Sequence, residues 1–158
     1  MATTRRKSTR SAGQRRPALG MKIVPGHWTG TIVGTANPQY GMTMQEEPPA
    51  GPVEFSFIII PVVLTGPEGG PEWPGVAAVM APTGRGPKAT DAGNIAVGPG
   101  GVSAVVSLDA TREQFSDIDR SLHLGRLKKL QFTVMDGVDE VGRLHSWGLS
   151  VDPETLGK

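Results

Sequence analysis

Three histidines, His27, His123 and His145, are the side chains best suited to acid–base or metal chemistry in this 158-residue chain, which has no cysteine. They fall in different predicted elements, and no H-E-x-x-H, H-x-E or paired-cysteine spacing accompanies them, so zinc is not indicated. His145 precedes Ser146, but the G-x-S-x-G of a nucleophile elbow is missing. Gly84 to Thr90 (GRGPKAT) approaches a phosphate-loop pattern. Pro87 breaks its spacing and removes one of the amides that a phosphate cradle needs. Gly98 to Gly101 has no βαβ unit around it and so fails as a dinucleotide fingerprint. Asp117 and Asp119 stand two apart on a predicted helix and project on different faces. Asp136, Asp139 and Glu140 share one turn and could lend oxygen ligands to a weak Ca²⁺ site, but the twelve-residue EF-hand spacing is absent. They read as solvated turn carboxylates. The expectation is a protein with no catalytic residues and no cofactor.

Charge is the more informative signal. Residues 1–16 carry Arg5, Arg6, Lys7, Arg10, Arg15 and Arg16 with no acid, while the other 142 residues hold 10 Lys plus Arg against 15 Asp plus Glu, a net of −5. A basic arm on a mildly acidic body points to nucleic acid or another anionic partner. The arm has no apolar periodicity and is expected to be disordered when alone. It has no aromatic residue to stack on bases, so its binding should be electrostatic and independent of sequence. Six phosphate contacts on a single strand imply a log–log salt slope of about −4. Other readings of the arm are a nuclear-import signal and an Arg-rich organellar transit peptide. No secretory apolar block follows it.

The elements that must carry these residues are short strands. Gly (22) and Pro (14) are spread between apolar runs, the pattern of many strands joined by turns. Val53 to Leu64 (VEFSFIIIPVVL) is the densest apolar run and is too short to span a bilayer. Val53, Phe55, Phe57 and Ile59 lie on one face of it, with Glu54, Ser56, Ile58 and Ile60 on the other, so it reads as the central strand, buried on both faces at its end. Pro61 predicts a bulge, a break or an edge position. Further strands are expected at 28–36, 40–44, 76–81, 95–97, 102–108, 127–135 and 143–151. Trp73 falls in the loop 65–75 and is a candidate for contact with a partner subunit. Ala110 to Leu124 is the one helix, with a Thr111–Gln114 capping box, a Phe115–Ile118–Leu122 stripe and Gly125 as its stop.

Seven or eight short strands with long Gly/Pro loops and one short helix predict an all-β sandwich or barrel. Its domains would be a disordered basic arm (1–20), the sandwich body (21–152) and a C-terminal tail (153–158). An arm such as MATTRRKSTRSAGQRRP ahead of some eight strands resembles, in layout, the coat proteins of small icosahedral RNA viruses of satellite type. That resemblance implies an antiparallel β-sandwich of jelly-roll type, a shell of identical subunits, a virion location and inward arms holding RNA. Gly26-His27-Trp28 resembles the Gly-x-Trp of lipocalin first strands, which implies an organellar β-barrel binding protein. A cellular RNA-binding or ribosome-associated accessory protein, cytoplasmic or nuclear, is the remaining alternative. If the arm holds RNA, deleting residues 1–16 leaves the body folded and strips RNA from the purified protein. Copurification of RNA with the truncated chain at moderate salt would overturn that expectation.

Overall fold

A computed structural model describes residues 20–48, 50–81 and 92–151. Its eight strands are β1 (Gly26–Ile32), β2 (Asn37–Gln45), β3 (Gly51–Thr65), β4 (Trp73–Met80), β5 (Gly93–Val97), β6 (Ala104–Asp109), β7 (Lys129–Val138) and β8 (Val141–Ser150). The helix α1 (Arg112–His123) links β6 to β7. All eight predicted strands and the helix are present, with ends displaced by a few residues. Trp73 opens β4 and so belongs to a strand.

The architecture differs from the predicted sandwich. The strands run β1-β7-β8-β5-β6-β4-β3, and β1 pairs with β3 as well as with β7, so seven strands close into a barrel. Nor is the sheet wholly antiparallel, since β4 and β6 run parallel. Alternating apolar residues require that one sheet face be covered. They do not say whether a second sheet or the same sheet closing on itself provides the cover.

The barrel is filled. Ile58, Ile60, Val62 and Leu64 of β3 point inward with Val79, Ile95, Val106, Leu108, Leu130 and Phe132, all at 1% exposure or less. Trp28 stacks on Phe132, with ring centroids 6.1 Å apart, and its Nε1 donates to the Val24 carbonyl at 3.0 Å. No described polar or charged residue is buried. At one end Met21 and Ile23 close the barrel, their amides donating to Gly101 and Asp139 carbonyls at 2.7 and 2.8 Å. Gly142 permits this plug, since a Cβ there would meet Val134 Cγ1 at 2.7 Å and Ile23 Cγ2 at 2.8 Å.

At the other end α1 turns its apolar stripe onto the core, with Phe115 buried and Ile118 and Leu122 packed beside it. The predicted capping box forms in full: Thr111 Oγ1 accepts from the Gln114 amide at 3.1 Å, and Gln114 Oε1 accepts from the Thr111 amide at 3.0 Å. Gly125 stops the helix at φ +66°.

β3 has 15 residues and spans two environments. Residues 62–65 pair with β1, whereas 51–59 pair along the same edge with β2. β1 and β2 therefore form one interrupted strand, broken at Val33–Ala36. Pro61 faces that break: its carbonyl accepts from the Val33 amide at 3.0 Å, and a strand residue's N–H and C=O share an edge. The missing donor thus points where no ladder partner exists, and β3 runs through Pro61 unbroken. Truncating the fully buried Ile60 to Ala is expected to cost about 2–5 kcal/mol. Met44→Ala, at an exposed site, should cost well under about 1 kcal/mol, and equilibrium urea unfolding of the two variants tests the contrast.

Candidate functional site

The barrel interior is filled, and its outer walls differ. On the wall formed by β1, β7 and β8, the outward rows present His27, Thr29, Thr31, Lys129, Gln131, Thr133 and Ser146. Lys129 Nζ donates to Thr31 Oγ1 at 3.3 Å across that wall. On the opposite wall β3 turns Val53, Phe55, Phe57, Ile59, Pro61 and Val63 outward. The facing outward residues of β4 are Val76, Ala78 and Met80, and Val105 of β6 continues the row. Along these rows the first charged residue is Asp109, at the margin beside Met80.

This apolar wall continues past the barrel. Residues 51–55 of β3 pair with 41–45 of β2, while β4 reaches β3 only at Phe57. The result is a two-stranded ribbon projecting beyond the helix end. Phe55 and Phe57 stack along it, with centroids 5.9 Å apart. The Phe55 ring covers Gly41 so closely that a Cβ there would fall against the ring carbons. On the ribbon's other face Tyr40, Met42 and Met44 are 61%, 62% and 68% exposed. Nothing in β2, NPQYGMTMQ, carries a charge.

Tyr40 fastens the ribbon to the helix. Its hydroxyl donates to Asp119 Oδ2 at 3.3 Å, and its ring meets Phe115 edge-on at 6.3 Å between centroids. Arg112 and Glu54 add an exposed ion pair at 3.8 Å, of a kind that contributes little. Burial, then the neighbouring Asp119 charge and the hydrogen bond to it, push the Tyr40 phenol above its ordinary 10.0.

The predicted site residues fare unequally. Arg5, Arg6, Lys7, Arg10, Arg15 and Arg16 lie outside the described residues, as does the loop Gly84–Thr90. Trp73 is half-buried against the core. Asp136 receives Arg143 Nη2 at 2.7 Å, and no trio of His, Asp or Glu among the described residues is grouped to hold a metal. His123 ends α1, whereas His27 and Ser146 share an outer row with Thr133 between them and do not hydrogen-bond to each other. No described helix is long and apolar enough to cross a membrane.

The apolar wall escaped sequence reading because the Val53–Phe55–Phe57–Ile59 face looks like core. It is the outward face, and its partner face, led by the polar Glu54 and Ser56, becomes the barrel interior from Ile58 on. The available signal was the uncharged run in β2 beside it. No family model matches the sequence, and comparisons with curated proteins and with solved structures returned no match.

The folded-state preference for neutral Tyr40 makes its clamp complete below the ordinary phenol pKa and lost as pH rises through the raised one. Tyr40 is the only tyrosine, so tyrosinate absorbance reads it alone. In the folded protein its midpoint should lie above 10.0, and Asp119→Asn should move it part of the way back. A midpoint at the ordinary value with Asp119 present would contradict the clamp.

Proposed function

We propose that the protein is a structural assembly subunit whose copies join through the apolar wall and ribbon of β2, β3 and β4, while its Arg-rich N-terminal arm holds nucleic acid. The observation that carries this reading is the charge-free outward face of β3 and β4. With strands about 4.8 Å apart and about 3.3 Å per residue, the 15 residues of β3 and 8 of β4 give that face on the order of 350 Å². Monomers rarely leave a larger patch open, and a standard interface takes about 800 Å² from each partner.

Polarity supports the same reading. The described chain starts at Gly20, beside the Gly101 and Asp139 end of the barrel, whereas the ribbon projects from the α1 end. An arm and an interface at opposite ends can engage different partners together. The acidic body also repels a polyanion and so confines it to the arm. The coat-protein form of this reading is a closed shell around RNA. It rests on layout and charge, with a barrel in place of the jelly roll. A lipocalin-like binder would need an open lumen, and side chains occupy that space here.

Velocity sedimentation of the full-length protein, read at nucleic-acid and protein wavelengths, tests the proposal. A fast boundary rich in nucleic-acid absorbance is expected. Met80→Lys combined with Val105→Lys, both at exposed outward positions, should slow it without lowering the melting temperature. A wild-type boundary near 16.6 kDa would overturn the assembly reading; with nucleic acid attached, it would favour the monomeric accessory protein.

A further inference from the structure

Among the described residues, the ribbon formed by residues 41–45 and 51–55 has no third strand on either side. Two strands alone are marginal in water and gain stability from a third. Which edge accepts that strand follows from the hydrogen bonding of β3. The Pro61 carbonyl points toward β1 and β2, since it accepts from Val33, and the Ser56 carbonyl points the other way, since it accepts from Ala81. Alternation then directs the backbone groups of Val53, Phe55, Phe57 and Ile59 toward β2. Their facing partners Thr43, Gly41, Gln39 and Asn37 return those bonds. The groups left on the open edge of β2 are those of Pro38, Tyr40, Met42 and Met44, and on the open edge of the β3 arm those of Pro52 and Glu54.

These two edges are unequal. Pro52 has no N–H and Glu54 brings a charge, two devices that discourage strand addition. Tyr40, Met42 and Met44 offer three successive donors and acceptors with no charge between them. The other strand stretches lacking a second strand partner are flanked by other parts of the chain. β8 beyond Arg143 lies along α1, where Gln114, Ile118 and Ser121 share a groove with Trp147, Gly148 and Leu149. The start of β1 lies against Gly66 and Pro67, and the end of β7 lies beside the segment whose Ile23 amide donates to the Asp139 carbonyl. Identical copies joined edge to edge thus have one suitable edge among the described residues, and an edge that meets itself does so about a two-fold axis, antiparallel.

We propose that Tyr40–Met44 of β2 pairs antiparallel with the same segment of a second copy, Met42 facing Met42 of the partner subunit. This rests on the assembly reading and names its geometry. Centring on Met42 sets Tyr40 opposite Met44 of the partner subunit and gives roughly six inter-strand hydrogen bonds. A register shifted by one residue, centred on Gly41, brings Pro38 into the ladder, where it lacks a donor. The pairing supplies each ribbon with its third strand and joins the two apolar walls into one sheet surface.

The test uses full-length protein, which has no cysteine of its own. Facing Cα atoms in a hydrogen-bonded antiparallel pair are about 5.5 Å apart, within disulfide reach. Met42→Cys is therefore expected to cross-link to a covalent dimer under mild oxidation. Met44→Cys should not, because its symmetry mate lies about 13 Å away along the strands. Met42→Pro removes only an outward N–H and should convert the dimer contact to monomers while the melting temperature holds. If Met42→Cys fails to cross-link and Met42→Pro leaves the oligomer intact, the edge pairing is overturned and the assembly reading survives through the apolar wall. A wild-type protein that sediments as a monomer overturns both.

Discussion

Closure of the sheet through β1 is the constraint on which the rest depends. β1 has seven residues, and it pairs with β7 along most of its length and with β3 only at its last four. Seven strands thereby cover one another's inner faces, and a single layer buries what a sandwich would bury between two. Because β3 is twice as long as β1, closure uses only its second half. The first half must leave the barrel, and β2 is the strand that goes with it.

The placement of the remaining parts follows. Met21 and Ile23 plug the end where the described chain begins, and α1 plugs the other, its Phe115 meeting Tyr40 at the root of the ribbon. Side chains fill the interior, and the outer walls differ in character. One wall is polar and ordinary. The opposite one carries half-buried aromatic and branched residues, with Phe55, Met80 and Val105 the exposed ones, and the ribbon extends it.

The local structure was legible because local physics sets it. Thr111 and Gln114 announce the helix start through reciprocal side-chain bonds, and Gly125 its end. Alternation marked the strands at 28–36, 53–64, 102–108 and 127–135, and short runs between turn residues marked the others. Pro61 was expected at a bulge, a break or an edge position, and it sits at a local edge: the neighbouring strand changes from β2 to β1 there, so no ladder partner needs the donor it lacks. Trp73 looked like part of a loop because prolines flank it, yet its ring rests on the core.

Composition and periodicity settle that this chain makes short strands, one capped helix and an enclosed apolar face, and that its positive charge gathers in one arm. Those properties depend on residues near one another in sequence. Which face of Val53–Ile59 meets solvent does not, since apolar residues occupy both faces and only the long-range register with β1 and β4 decides between them. The same register turns a predicted sandwich into a closed barrel and leaves the ribbon of β2 and β3 projecting beyond it. Pairings between residues far apart in the chain carry no local signature, so sheet topology and the exposed wall emerge only on folding.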